Sequence, residues 1–262
     1  MLRLYHGITS VCSIKARIGL AEMALPYDEV ILDLQKGDQF APDYRALNPA
    51  AVVPTLVDDG LVVTESSLIV EYLDRTYNDA RLMPEGRALG VATRHWLLRC
   101  LAIHAAVNTL TFSTVNRTRA LATKTPDEIE AALAKMPNPV AQAKRRDLFA
   151  NGLASVHVAE ALATFRAAFA DMAATLSAHP WLSGPAFGLA DIGVIAYVDR
   201  VERLGFEGLW HDTPAVGTWL AAMQARPSYQ SEVAARIPAT LAERQRTEGA
   251  AFWPELQTIW TA

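Results

Sequence analysis

Leu2-Arg3-Leu4-Tyr5 alternates apolar and polar positions with the period of two that a strand requires. From Ser13 the period lengthens to that of a helix. Ile14, Ile18 and Leu25 recur with Ala21 between them, while Lys15, Arg17 and Glu22 lie elsewhere around the cylinder. Tyr27 to Leu34 returns to a β-rich run, and an irregular polar segment follows from Lys36-Gly37-Asp38 to Leu47-Asn48-Pro49. Two further strand-like runs, Pro54 to Val57 and Leu61 to Thr64, flank Asp58-Asp59-Gly60, whose Asp-Gly pair suits a tight hairpin turn. The next helix carries Leu68, Ile69, Tyr72 and Leu73 at i, i+1, i+4 and i+5, which predicts one face packed on the sheet. The order is β-α-β, an irregular link, then β-β-α.

Residues 76–90 hold Asn, Asp, Pro and Gly with little periodicity, as an inter-domain linker does. Beyond them the pattern is helical throughout. Val158, Leu162, Phe165, Phe169, Met172 and Leu176 are spaced by four and three in an alanine-rich background, which predicts a long helix with a buried face. Further helices are expected near Asp191 and Thr213, with Arg226-Pro227 closing the latter. The division that follows is an N-terminal α/β domain over 1–78, a linker over 79–90 and an all-α domain over 91–262.

A chain of 262 residues, 51% of them hydrophobic, can bury two cores of ordinary size. No apolar run approaches the roughly 18 uncharged residues needed to span a bilayer, so a soluble, cytoplasmic protein without a membrane partner is expected. The formal charge of −4 argues against a nucleic-acid partner, which demands many phosphate-neutralising Lys and Arg. Cys12 and Cys100 do not form a CxxC pair, and no two histidines stand at i, i+4, so neither a disulfide framework nor a metal site is expected.

Four segments in order resemble the glutathione transferase superfamily: Leu4-Tyr5 with Ser10-Val11-Cys12-Ser13 and the helix after it; Leu47-Asn48-Pro49 leading to Val53-Pro54-Thr55-Leu56; Thr64-Glu65-Ser66-Ser67 opening a helix; and Leu189-Ala190-Asp191-Ile192. The resemblance implies a thioredoxin-like N-terminal domain that binds glutathione as co-substrate. It also implies an all-α C-terminal domain that shapes the site of a small apolar electrophile, a homodimer, and a part in detoxification.

Such an enzyme must hold a thiol as thiolate, and lowering a thiol pKa of ~8.5 by two units takes roughly 2.7 kcal/mol of preferential anion stabilisation. Three side chains near the first helix are candidates by resemblance: Ser10, the position used by theta-like and zeta-like branches; Ser13, used by the β-etherase-like branch; and Cys12, the cysteine of the beta-like branch. The residue types alone also allow an N-cap at either serine and a core position at Cys12. The resemblance further implies a cis bond before Pro54, backbone pairing of Val53 with glutathione, Glu65 and Ser66 on the γ-glutamyl end, and Gln39 on the glycyl end.

Gly188 occupies the place where the family carries Ser or Thr three residues before its aspartate, so a weaker helix cap is expected at Asp191. Residues 123–152 are longer than a minimal member needs, and their Lys144-Arg145-Arg146 is expected to be a solvated helix face. Thiolate attack on an electrophile therefore competes with glutathione-dependent β-aryl-ether cleavage and with a non-catalytic interaction protein of the same fold. Zeta-like isomerisation is weakened by Val11, where that branch has a serine.

Overall fold

The computed structural model describes residues 1–261. Its N-terminal part is a mixed sheet of order β2-β1-β3-β4, formed by β1 (Leu2–His6), β2 (Asp28–Ile31), β3 (Thr55–Asp58) and β4 (Leu61–Val63). β1 runs parallel to β2 and antiparallel to β3, and the β3-β4 hairpin turns through Asp59 and Gly60, both at positive φ, as the Asp-Gly pair suggests. Helices α1 (Val11–Glu22) and α3 (Ser66–Tyr77) pack through Ala16, Leu20, Ile69 and Leu73 against Leu4 and Leu56, while the short α2 (Pro42–Leu47) lies in the link.

One sequence expectation is corrected here. On α3 the buried face is Ile69, Val70 and Leu73, whereas Leu68 is 55% exposed and Tyr72 half-buried. Tyr72 instead donates its hydroxyl to Asp58 Oδ2 (2.6 Å), as does Tyr77 (2.5 Å), which staples the helix to the hairpin. On α1, Lys15 and Arg17, off the stripe of Ile14 and Ile18, are also fully buried. The helix is enclosed on both sides, by α3 and by the C-terminal domain, so its long polar side chains reach partners inside: Ser67 for Lys15 and Glu232 for Arg17.

The helical part comprises α4 (Arg87–Ser113), α5 (Val115–Thr123), α6 (Pro126–Ala134), α7 (Pro139–Asn151), α8 (Val156–Leu176), α9 (Leu189–Arg203), α10 (Ala215–Gln224), α11 (Pro227–Tyr229), α12 (Ala239–Ala250) and α13 (Trp253–Thr261). α9 is the axis, with nearly every residue from Leu189 to Val201 buried between α4, α10 and α1. α8 buries the expected Val158, Leu162, Phe165, Phe169 and Met172. No single helix among the described residues is long and apolar enough to cross a membrane.

The start of α9 is not weakly capped. Asp191, fully buried, accepts the amides of Leu182 (2.8 Å), Ser183 (3.2 Å) and Gly188 (3.1 Å) and the indole N–H of Trp219 (2.8 Å). The hydroxyl that Gly188 lacks comes from Ser183, whose Oγ accepts the Ala190 amide at 3.0 Å. Glycine is required at 188 by a close approach, since a Cβ there would lie 2.3 Å from the Leu82 carbonyl oxygen.

The long segment 123–152 folds as two helices with their own caps, a Thr125–Glu128 capping box on α6 and Asn138 on α7. Its basic triplet is not uniformly solvated. Arg146 pairs with Glu130, while Arg145 lies over the Phe112 ring at 3.1 Å, where burial lowers its pKa to about 10.

Candidate functional site

The strand register gathers four connections at one end of the sheet. Tyr5 near the end of β1 faces Thr55 at the start of β3, and Leu56 faces Val63 at the end of β4. The loop after β1 (7–10), the Val53-Pro54 approach to β3 and the turn from β4 into α3 therefore lie side by side. Because β2 is parallel to β1, the loop after it, which carries Gln39, leaves from the same end. The Val53–Pro54 bond is cis, and Glu65 holds a left-handed φ of 65° immediately before Ser66, the first residue of α3. Gln39 donates weakly to the Leu34 carbonyl (3.5 Å), and its Oε1 is buried without a partner among the described residues. Tyr5 packs against Tyr44, ring centroids 5.8 Å apart.

The three thiol-site candidates take three different positions. Ser10 is the N-cap of α1: its Oγ accepts the Ser13 amide at 3.3 Å, and it stays half-buried. Accepting that bond leaves the hydroxyl proton free to be donated outward. Ser13 is fully buried, with its Oγ accepting the Gly7 amide at 3.2 Å, so it braces the loop from inside. Cys12, half-buried, faces the helical domain.

Around Cys12 a polar cluster closes from both domains. Its Sγ lies 3.8 Å from the Tyr197 hydroxyl on α9, and the Lys15 ammonium stands 4.9 Å from the Tyr197 ring centroid. Burial alone would raise the thiol's pKa. The opposing influence of His104 on α4, with Lys15 and the Ser66 hydroxyl, outweighs it and brings the thiol down to about 7. Tyr197 is driven the other way, well above its ordinary value, by burial and by Cys12 and Cys100. It keeps its proton and can donate to sulfur. Asn108 Nδ2 lies 3.0 Å from His104 Nε2, which fixes the imidazole from behind.

The loop 7–10 is clamped by arginines that sequence reasoning did not assign. Arg17 donates to the carbonyls of Gly7 (3.4 Å), Ile8 (3.1 Å) and Glu232 (2.8 Å) and lies 3.1 Å from His6 Nδ1. Burial first, then the neighbouring Arg236, lowers its pKa to about 10, against the pull of Glu232. From the other domain Arg200 donates to the Thr9 carbonyl at 2.5 Å. Arg17, Lys15, His104, Tyr197 and Arg200 carry no local motif, and only buried polar residues on otherwise apolar helices hint at them.

Comparisons with known proteins agree with this geometry. Residues 9–76 match the model for the glutathione S-transferase N-terminal domain, and residues 155–222 match that for its C-terminal domain. The chain belongs to the glutathione S-transferase superfamily. Glutathione S-transferase Z1 of Arabidopsis thaliana is 41% identical over 83 residues, which span 32% of this chain and 38% of that relative. Protein LigF of Sphingobium sp. is 29% identical across 87% of this chain and 91% of its own length. The solved structure of the β-etherase LigF from Sphingobium sp. strain SYK-6 superposes with a TM-score of 0.77 at 27% identity, covering 89% of this chain and 99% of that one. The fold class expected from the sequence, a thioredoxin-like α/β domain followed by an all-α domain, is thus that of the superfamily.

Proposed function

We propose that this protein is a cytoplasmic glutathione transferase that activates the glutathione thiol as thiolate for attack on a small, largely apolar electrophile lodged between the two domains. The observation that carries the reading is the convergence, at one end of the sheet, of the four connections that hold the candidate residues. In it Val53 pairs its backbone with the cysteinyl part of glutathione beside Pro54. Glu65, Ser66 and the unpaired amides opening α3 take the γ-glutamyl end, and Gln39 takes the glycyl end. Ser10 donates its free hydroxyl proton to the sulfur at the N-terminus of α1, where the helix dipole adds to the stabilisation.

Ser10→Ala tests this assignment. The pKa of the bound thiol, read by thiolate absorbance, should rise, and turnover at neutral pH should fall tenfold or more while glutathione affinity changes little. Unchanged turnover would move the role to Cys12 and its His104-Lys15-Tyr197 surroundings, in which a thiol near pH 7 supports a thiol-disulfide reaction with glutathione.

A second reading, cleavage of a β-aryl ether with a phenolate as leaving group, is favoured by the full-length likeness to LigF. Turnover with glutathione against aryl halides and β-aryl ethers separates the two. A homodimer fits the exposed apolar residues on both domains, Val52 and Leu68 on one and the stripe Val91, Leu98 and Leu101 of α4 on the other.

A further inference from the structure

Beside the loop 7–10 three guanidinium groups share one region: Arg200 and Arg203 on α9, and Arg119 on α5. Arg203 has a carboxylate, Asp199 at 2.6 Å, and Asp199 also accepts the Tyr229 hydroxyl at 2.5 Å. Arg119 has Glu248 at 2.8 Å. Arg200 has no ion-pair partner among the described residues, its Nε is buried without an acceptor, and its one bond is to the Thr9 carbonyl. A guanidinium carries five N–H donors in a fork, so a single carbonyl leaves most of them unused. Burial, then the charge of Arg203, lowers the pKa of Arg200 to about 9, with Arg119 adding to the shift and the nearby Asp199 charge opposing it only in part.

Desolvating such a group with no carboxylate in contact with it is costly, and a fold keeps it only where something offsets the charge. The holding carbonyl belongs to Thr9, the residue before Ser10, so the fork stands at the rim of the proposed reaction centre. Ile8, on the same loop, is half-buried against the helical core and offers an apolar surface next to it.

We propose that Arg200 is the specificity-determining residue for the second substrate, binding the anionic group, a carboxylate or phenolate, of an electrophile whose body is apolar. The inference rests on reading the cleft between the domains as the electrophile's seat. The anion completes the fork in the bidentate manner that guanidinium favours, and the apolar body lies along Ile8 toward the thiolate.

Calorimetric titration of the full-length protein with 4-nitrobenzoate and with its uncharged isostere 4-nitrobenzamide tests the proposal at low ionic strength. The wild type should bind the benzoate at least tenfold more tightly than the amide. In Arg200→Gln the two affinities should converge. Arg145→Gln removes another half-buried guanidinium that has no carboxylate partner among the described residues and should keep the preference. Equal affinities in the wild type, or a preference that survives Arg200→Gln, would overturn the assignment.

A measurement on the wild type alone guards against misfolding of the variant. Modification of Arg200 by phenylglyoxal, read by peptide mass spectrometry, should be slowed by 4-nitrobenzoate and not by the amide, and an unslowed reaction refutes the proposal. Retention on immobilised glutathione reports separately on the transferase reading. Retention without benzoate preference sinks only the role of Arg200, and benzoate preference without retention sinks the transferase reading and with it the second-substrate role, leaving Arg200 as an anion site alone.

Discussion

Gly188→Ser puts back the hydroxyl that the family carries at this helix start, and sequence reasoning alone expects a gain of about 0.5–2 kcal/mol from the restored cap. The structure reverses the sign. A Cβ at 188 meets the Leu82 carbonyl oxygen at 2.3 Å, the Ser183 Oγ at 2.8 Å and its Cβ at 2.9 Å. The first of these is backbone, tied to α9 by the Leu189 amide at 2.9 Å, so it cannot rotate away. Overpacking of this kind costs ~1–3 kcal/mol, and displacing Leu82 forfeits a further ~1 kcal/mol of hydrogen bonding. The cap yields no gain, because Ser183 already satisfies the Ala190 amide.

The expected net loss is roughly 2–4 kcal/mol, which for a chain of this size lowers the thermal midpoint by about 4–16 °C. Differential scanning calorimetry with urea unfolding followed by tryptophan fluorescence would measure it. Adding Ser183→Ala to the variant should recover only part of the loss, since Leu82 stays in place. A Gly188→Ser protein as stable as the wild type, or more so, would refute the close-approach account of this glycine.

Ser13→Ala strips the buried Gly7 amide of its acceptor and should cost ~1–3 kcal/mol in urea unfolding. The folded pKa of Cys12, about 7, lies below the ~8.5 of an unfolded thiol, so its ionisation stabilises the fold above pH 8.5 and that contribution is lost as pH falls through 7. The stability of the wild type relative to Cys12→Ala should therefore grow from pH 6 to pH 9, and iodoacetamide should alkylate Cys12 with a midpoint near pH 7 while buried Cys100 stays inert. Leu98→Lys, on the exposed stripe of α4, should convert a dimer to a monomer in analytical ultracentrifugation at micromolar concentration, and an unchanged mass would remove that stripe from the interface.

What the sequence made legible is what local chemistry governs. The Asp59-Gly60 turn, the strand alternation and the long spacing of α8 each depend on residues a few positions apart, and the structure has them where the pattern predicts. The face of α3 was misread because Leu68 and Tyr72 are apolar by type, while the hairpin's Asp58 gives the tyrosine a polar partner at its rim. The burial of Lys15 and Arg17 was not legible because their partners lie far along the chain; Arg17 meets Glu232 across 215 positions. The cap on α9 was hidden for the same reason on a smaller scale, since Ser183 serves Ala190 from seven residues upstream. At the site, the candidate positions could be named from motif order. Which of Ser10, Cys12 and Ser13 is braced inside, and which opens outward, depended on side-chain direction that no spacing encodes.

The reach of Arg17 to Glu232 also sets an order of events during synthesis. The loop that bears Ser10 is synthesised well ahead of one of its clamps, which waits for a segment 215 residues further along the chain. At about 5–20 residues per second that delay is roughly 10–40 s. Throughout it, the Arg17 guanidinium has His6, the Gly7 and Ile8 carbonyls and water as partners, without the Glu232 side of its clamp. The full locking of the Ser10 loop therefore follows the synthesis of the segment around Glu232, far behind the sheet that the loop leaves.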